Sequence, residues 1–203
     1  EAKLVGVANT IYFENKKVCA TSTDGIGCLK ALQEKGINVN GKKVLILGAG
    51  GAARAITFAL AQNSAHTIVL NRTIENAKEL VMEVNEKVNV NFEFGSIMEI
   101  ENHLNEVDLC INCTPVGMSG KSEGETLITT KQFVNAKKDL VVMDLVYNPL
   151  RTKFLENAKS ANLKTVDGLG MLVHQGAVGF KLWTGKDAPI EVMRSALKEH
   201  LGL

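Results

Sequence analysis

Three groups of residues in this chain have the types and spacing to do chemistry. The first is Gly48-Ala49-Gly50-Gly51-Ala52-Ala53, a turn nearly bare of side chains directly after the apolar run Val44-Leu45-Ile46-Leu47. Such a turn brings backbone close to a ligand, and where it leads into a helix the first N–H groups face negative charge. Gly48 permits the turn, Gly50 admits a pyrophosphate, and Ala53 stands where a small residue lets helix and strand pack closely. The same glycines would also suit an ordinary turn of a flavodoxin-like domain. The second group, Asn71-Arg72-Thr73, ends the next apolar run about twenty residues later, where an acid would hold the ribose 2′-hydroxyl of NAD. No acid stands there. Arg72 instead offers a fork of donors suited to a 2′-phosphate, and Asn71 and Thr73 can add neutral hydrogen bonds, so the expected cofactor is NADP rather than NAD. The third group is Thr23-Asp24-Gly25, where the carboxylate is either a helix cap or half of an acid/base pair. Hydride transfer to or from an alcohol carbon requires a proton to move at the oxygen, and spacing alone does not assign the base.

Hydrophobic periodicity supplies the elements that must position these groups. Val44 to Leu47 read as a parallel strand covered on both faces, and Ala52, Ala53, Ile56, Ala59 and Leu60 recur at helical spacing. The glycines therefore lie between a strand and a helix, the context in which the motif is informative. Ile68 to Leu70 give a second strand, and residues 75–88 place Ala77, Leu80, Val81 and Val84 on one face of a crossover helix. Phe92 and Phe94 suggest a third strand, 98–104 a short helix, and 107–112 a fourth strand opening into a polar loop through 125. Residues 140–145 read as a strand apolar except for Asp144, 152–161 as a helix and 164–166 as a short strand. Residues 168–183 form a Gly-rich helix with Gln175 as its polar exception, and Pro189 begins a last helix through 201. This alternation predicts an α/β fold, a Rossmann-like, doubly wound, mostly parallel sheet. Ligands of such sheets gather beyond the carboxyl ends of the strands, where Thr114, Tyr147 and Gly168 stand. Thr114 and Pro115 make a rigid turn suited to the nicotinamide riboside, unless Pro115 and Gly117 only end the strand.

Upstream, residues 4–13 read as extended chain, Glu14-Asn15-Lys16-Lys17 as a turn and 18–21 as a second short strand. These strands have no obvious place in the later sheet. Residues 24–35 follow as a helix ending at Gly36. The expected organisation is a remnant of a preceding α/β substrate domain over 1–23, a linker helix over 24–40, the nucleotide domain over 41–185, and a C-terminal helix over 186–203 returning toward the first domain.

Composition excludes several classes. With 45% apolar and 22% charged residues in 203, and a formal charge of +1, the chain is that of a folded protein with no basic surface for nucleic acid. No apolar stretch is long enough for a membrane span, no secretion signal is visible, and the expected compartment is the cytoplasm. Four cysteines are too few for a disulfide scaffold, and Cys110-x-x-Cys113 lies in apolar sequence that reads as strand rather than redox or metal site. The four histidines form no ligand-spaced pair.

Taken together, GVANT at 6–10, STDGIG at 22–27, GAGGAARA at 48–55, NRT at 71–73, NCTPVGM at 112–118, DLVYNPLRTKFLENA at 144–158 and GLGMLVHQGAVGFKLWTG at 168–185 resemble the shikimate dehydrogenase family. The resemblance spans essentially the whole chain. It implies reversible, NADPH-dependent reduction of 3-dehydroshikimate to shikimate in aromatic amino-acid biosynthesis. By it, Asn9 and Asp24 contact shikimate hydroxyls, with Asp24 the acidic half of the catalytic pair, Thr23 near the same ring, and Tyr147 and Gln175 closing the substrate side. Gly48, Ala49, Gly50, Gly51, Ala52 and Ala53 hold the pyrophosphate turn, Asn71, Arg72 and Thr73 surround the 2′-phosphate, and Thr114, Gly168 and Met171 lie toward the nicotinamide.

One departure is specific. The family's catalytic lysine and Ser-rich carboxylate pocket precede GVANT, and Lys3, Lys16 and Lys17 do not match that motif. The expectation is that these 203 residues are the C-terminal part of such an enzyme, binding NADP with little or no turnover. A homodimer is compatible with the family. Competing readings are a quinate/shikimate dehydrogenase, glutamyl-tRNA reductase, which shares an Asn-Arg-Thr segment but not the setting of Asp24, Tyr147 and Gln175, and a noncatalytic nucleotide-binding module.

Overall fold

The structure is a computed structural model and describes residues 2–202. Glu1 and Leu203, the outermost residues of the first and last expected segments, lie outside the described residues. The chain opens with one helical turn, Ala2–Val5 (α1), followed by an antiparallel hairpin of Thr10–Glu14 (β1) and Lys17–Thr21 (β2), in which Glu14 pairs with Lys17. Asn15 and Lys16 both take left-handed backbone, φ 49° and 63°, as a two-residue turn matching the hairpin twist requires. The extended reading of 4–13 needs correction at its start. Leu4 and Val5 are helical because tertiary donors satisfy their carbonyls, Lys87 Nζ at 2.8 Å from Leu4 O and Arg54 Nε on Val5 O.

The remaining helices are Asp24–Glu34 (α2), Gly51–Gln62 (α3), Ile74–Val88 (α4), Ile100–His103 (α5), Thr130–Val134 (α6), Lys153–Ser160 (α7), Gly168–Thr184 (α8) and Ile190–His200 (α9). Among them run the strands Lys43–Leu47 (β3), His66–Asn71 (β4), Glu93–Ser96 (β5), Leu109–Asn112 (β6), Val141–Asp144 (β7) and Lys164–Val166 (β8). These six form one parallel sheet in the order β5-β4-β3-β6-β7-β8, doubly wound about β3, while β1 and β2 stand apart as a separate sheet. The register sets Leu47 beside Leu70 and Asn112, and Asn112 beside Asp144, so the carboxyl ends of four strands open onto one edge.

The continuous apolar runs are explained by coverage of both faces. Val44 and Ile46 of β3 join a core with Ile56, Phe58 and Leu80, whereas Leu45 and Leu47 join a second core with Phe133 and Phe154 on the opposite face. Cys110 is fully buried in the second core, and burial pushes its thiol far up; Cys113, just past β6, is pushed up in the same way. Among the described residues no helix is long and apolar enough to cross a membrane.

Helix α6 lies between the polar loop and the 140–145 strand, where no periodic pattern predicts an element. Its signal is a capping box: Thr129 N–H donates to Gln132 Oε1 at 2.7 Å, and Thr129 Oγ accepts from Gln132 N–H. Phe133 then packs edge-on against Phe154, with ring centroids 5.6 Å apart.

Candidate active site

The glycine turn leaves β3 at Gly48, whose φ of +107° favours glycine and whose N–H donates to Leu70 O at 2.7 Å. A Cβ there would also stand 3.0 Å from Thr114 Cγ2, so the turn and the loop after β6 need the missing side chain twice over. Gly50 is the N-cap of α3; no side chain caps the helix, and apart from Gly50 and its chain neighbours nothing lies within 4 Å of where a Gly50 Cβ would be. The first-turn N–H groups thus open onto free space, the geometry an anion seat requires. Ala53 is fully buried, Ala49 packs against the first core, and Ala52 reaches the neighbouring cleft.

That cleft, about 400 Å³, lies at the switch point between β3 and β6 and is walled by loop 113–119 and loop 145–148, with Thr114, Met118 and Tyr147 in its lining. At the neighbouring strand end, Asn71 Nδ2 donates to Thr73 O at 2.9 Å, and Thr73 is the N-cap of α4. Arg72 is exposed and has no hydrogen bond or ion pair among the described residues. Its charge therefore stands uncompensated at the edge of the turn.

Beneath the cleft lies a polar knot around Asp144, the one polar residue of an otherwise apolar strand. Asp144 is fully buried; its Oδ1 accepts from Asn112 Nδ2 at 2.9 Å and Val146 N–H at 3.0 Å, and its Oδ2 from the Thr152 hydroxyl at 2.6 Å. Asn112 Oδ1 in turn accepts from the Thr114 N–H at 3.0 Å and hydroxyl at 2.7 Å. Burial pushes the Asp144 carboxyl up to about 6 against the pull of these donors. A lone carboxylate in a two-faced buried strand must find partners, which is the signal that was there to be read.

A second cluster is built where α2 meets α8. Asn9 Nδ2 donates to Asp24 Oδ1 at 2.8 Å, Asn9 Oδ1 accepts from Thr23 N–H at 2.9 Å, and the Thr23 hydroxyl meets Gln175 Oε1 at 3.1 Å. Two glycines make this convergence possible. A Cβ on Gly25 would lie 2.7 Å from Ala55 O of α3, and one on Gly27 would lie 2.7 Å from Gln175 Cβ of α8. The capping alternative for Asp24 is corrected: Thr23 is the N-cap, with no side-chain cap bond, and Asp24 is the first helical residue, its carboxylate committed to Asn9. Burial raises the Asp24 carboxyl, and the Asn9 donor partly opposes that. Val7, two residues before Asn9 in the chain, places its Cγ1 4.0 Å from the position of a Gly51 Cβ, which brings this segment to the glycine turn.

Other expected residues fall around these two centres. A Cβ on Gly168 would collide with Leu145 O at 2.5 Å and Val146 O at 2.8 Å, so α8 starts hard against the second cleft wall, capped by Asp167. Met171 is buried in the first core. Tyr147 is 43% exposed and belongs to the cleft wall; among the described residues it makes no hydrogen bond to the Asp24 cluster. Neighbouring Glu34 of α2 binds His174 Nε2 at 2.8 Å and Arg194 of α9 through both oxygens at 2.9 Å, fixing α9 to the α2–α8 pair.

The chain matches the family model described as shikimate / quinate 5-dehydrogenase over residues 30–171, and that of the shikimate 5′-dehydrogenase C-terminal domain over 168–198. It is 47% identical to the shikimate dehydrogenase (NADP(+)) of Methanopyrus kandleri, covering 99% of this chain and 70% of that protein. Among solved structures, a shikimate dehydrogenase in complex with NADP+ superposes with a TM-score of 0.91 at 43% identity, covering 98% of this chain and 69% of that one. Shikimate 5-dehydrogenase from Listeria monocytogenes, in complex with shikimate and NAD, gives 0.88 at 34% identity, covering 97% and 69%.

Proposed function

The chain belongs to the shikimate/quinate 5-dehydrogenase family, and from that premise we propose that its residues seat NADP and orient the alcohol in the interconversion of shikimate and 3-dehydroshikimate. The observation that carries this reading is the Asn9–Asp24–Thr23–Gln175 cluster set beside a helix N-terminus that no side chain caps. The space before Gly50 fits a pyrophosphate, Arg72 suits a 2′-phosphate, and the cleft between Thr114 and Tyr147 leads away from that end toward the nicotinamide. When bound, the cofactor supplies or accepts the hydride.

The chain's own residues position the alcohol. Asn9 holds one oxygen of Asp24, while Oδ2 has no hydrogen-bond partner among the described residues and can accept from a substrate hydroxyl. The raised Asp24 carboxyl favours a group that responds to a cationic partner brought against it. The lysine that the resemblance pairs with Asp24 has no counterpart among these residues. The reading therefore assigns them cofactor binding and alcohol orientation, with little or no turnover by these 203 residues alone. Arg72 favours the NADP-dependent reading without choosing between shikimate and quinate.

The test is calorimetric titration with NADP+ and NAD+. NADP+ is expected to bind more tightly. Arg72→Ala should remove charge-assisted bonds of about 1.5–3 kcal/mol, weakening NADP+ roughly 10- to 150-fold and NAD+ little. Equal affinity of the unaltered chain for the two dinucleotides would sink the assignment.

A further inference from the structure

We propose that Asp144 is a positioning residue that pins together the two walls of the cofactor cleft and so sets the seat of the nicotinamide end. Its own side chain does not line the cleft. Its Oδ1 receives Asn112 Nδ2 at 2.9 Å from the first wall and Val146 N–H at 3.0 Å from the second. Its Oδ2 receives Thr152, the N-cap of α7, at 2.6 Å, which anchors the pin to the sheet face.

Asn112 transmits the constraint. It sends Nδ2 also to Val116 O at 3.2 Å and receives both Thr114 donors on Oδ1, so the turn 112–116 is shaped by one amide whose orientation depends on the carboxylate. The rims of the two walls meet once more, where Ser119 N–H donates to Asn148 O at 2.8 Å. The backbone adds one link at the base, Leu145 N–H to Asn112 O at 3.0 Å. Without the carboxylate, Val146 N–H and the Thr152 hydroxyl lose their acceptor, Asn112 Nδ2 keeps only Val116 O, and Thr114 and Val146 lose a shared reference point. Arg72 makes no hydrogen bond to this knot, and the glycine turn meets it only by packing, Gly48 against Thr114 Cγ2, so no hydrogen bond carries the carboxylate's constraint to the 2′-phosphate end.

This inference rests on the NADP reading, and one experiment separates the two. The 203-residue chain is titrated with NADP+ and with adenosine 2′,5′-bisphosphate, which has the phosphorylated adenosine end but no nicotinamide. Asp144→Ala should weaken NADP+ about tenfold while leaving the bisphosphate within roughly twofold. Asp144→Asn, whose amide oxygen can still accept from Asn112 and Val146, should recover most of the loss. If Asp144→Ala does not fold, Asn112→Ala cuts the same link from its other end and should show the same selective loss. Equal weakening of both ligands, or of neither, would overturn the positioning role while leaving NADP binding standing. Failure of the unaltered chain to bind NADP+ would overturn both.

Discussion

Gly27→Ala tests how the Asn9–Asp24–Thr23–Gln175 cluster is assembled. The new Cβ would stand 2.7 Å from Gln175 Cβ and 2.9 Å from the Gln175 backbone nitrogen. Ordinary carbon contacts lie near 3.5–4.0 Å, and neither neighbour can swing aside, so α2 and α8 must part by about 1 Å. Overpacking of this kind costs about 1–3 kcal/mol, offset by roughly 1 kcal/mol because alanine is the better helix former. Gly176→Ala provides the matched control: it sits inside α8 and gains the same propensity, but its Cβ would meet only the mobile Met193 Cε at 3.2 Å. The difference between the variants isolates the packing cost. Urea unfolding should give Gly27→Ala a lower midpoint at unchanged m, and Gly176→Ala a midpoint at or above that of the parent. In a chain of this length each 1 kcal/mol corresponds to about 2–4 °C in Tm. If Gly27→Ala proved as stable as Gly176→Ala, the close approach of α2 to α8, and with it the Thr23–Gln175 contact, would be refuted.

Other outcomes follow from the same geometry. Asp24→Asn keeps an oxygen for Asn9 but loses the charge, so NADP+ affinity should hold within about twofold while shikimate affinity in the presence of NADP+ falls roughly tenfold, read by calorimetry. Gly48→Ala forces a side chain into a backbone of φ +107° and against Thr114 Cγ2 at 3.0 Å; strain of about 1–3 kcal/mol should lower stability and NADP+ affinity together in melting and titration. Asp144, raised from 3.8 to about 6 by burial, binds its proton more tightly folded than unfolded, so its contribution is full below about pH 4 and is lost as pH rises to about 6. The loss is of order 3 kcal/mol, and Asp144→Asn should lack it. The urea stability of the parent relative to Asp144→Asn should therefore fall between pH 4.5 and 7; a flat difference would contradict the buried charge.

The sequence alone determined the alternation of strands and helices from β3 to α9, the short α6 excepted, because apolar runs and helical periodicity are local records of which faces are covered. Val44 to Leu47 announced a doubly covered strand, and Gly48 to Gly51 announced a turn between strand and helix. Arg72 could be weighed from residue type and its distance along the chain. Elsewhere local pattern failed: Leu4 and Val5 look extended but are helical, with their carbonyls taken up by donors from Lys87 and Arg54, far away in sequence. The short α6 was legible through Thr129 and Gln132 but too brief to show periodicity. Asn9, Asp24 and Gln175 stand far apart along the chain, and no spacing rule joins them. Their meeting was decided by tertiary packing, through Gly25 and Gly27, whose absent side chains let α2 press against α3 and α8. Asp144 is the same lesson in the core: its residue type was visible, but only the parallel register that sets β6 beside β7 brings it to Asn112 and makes a buried charge the joint between two loops.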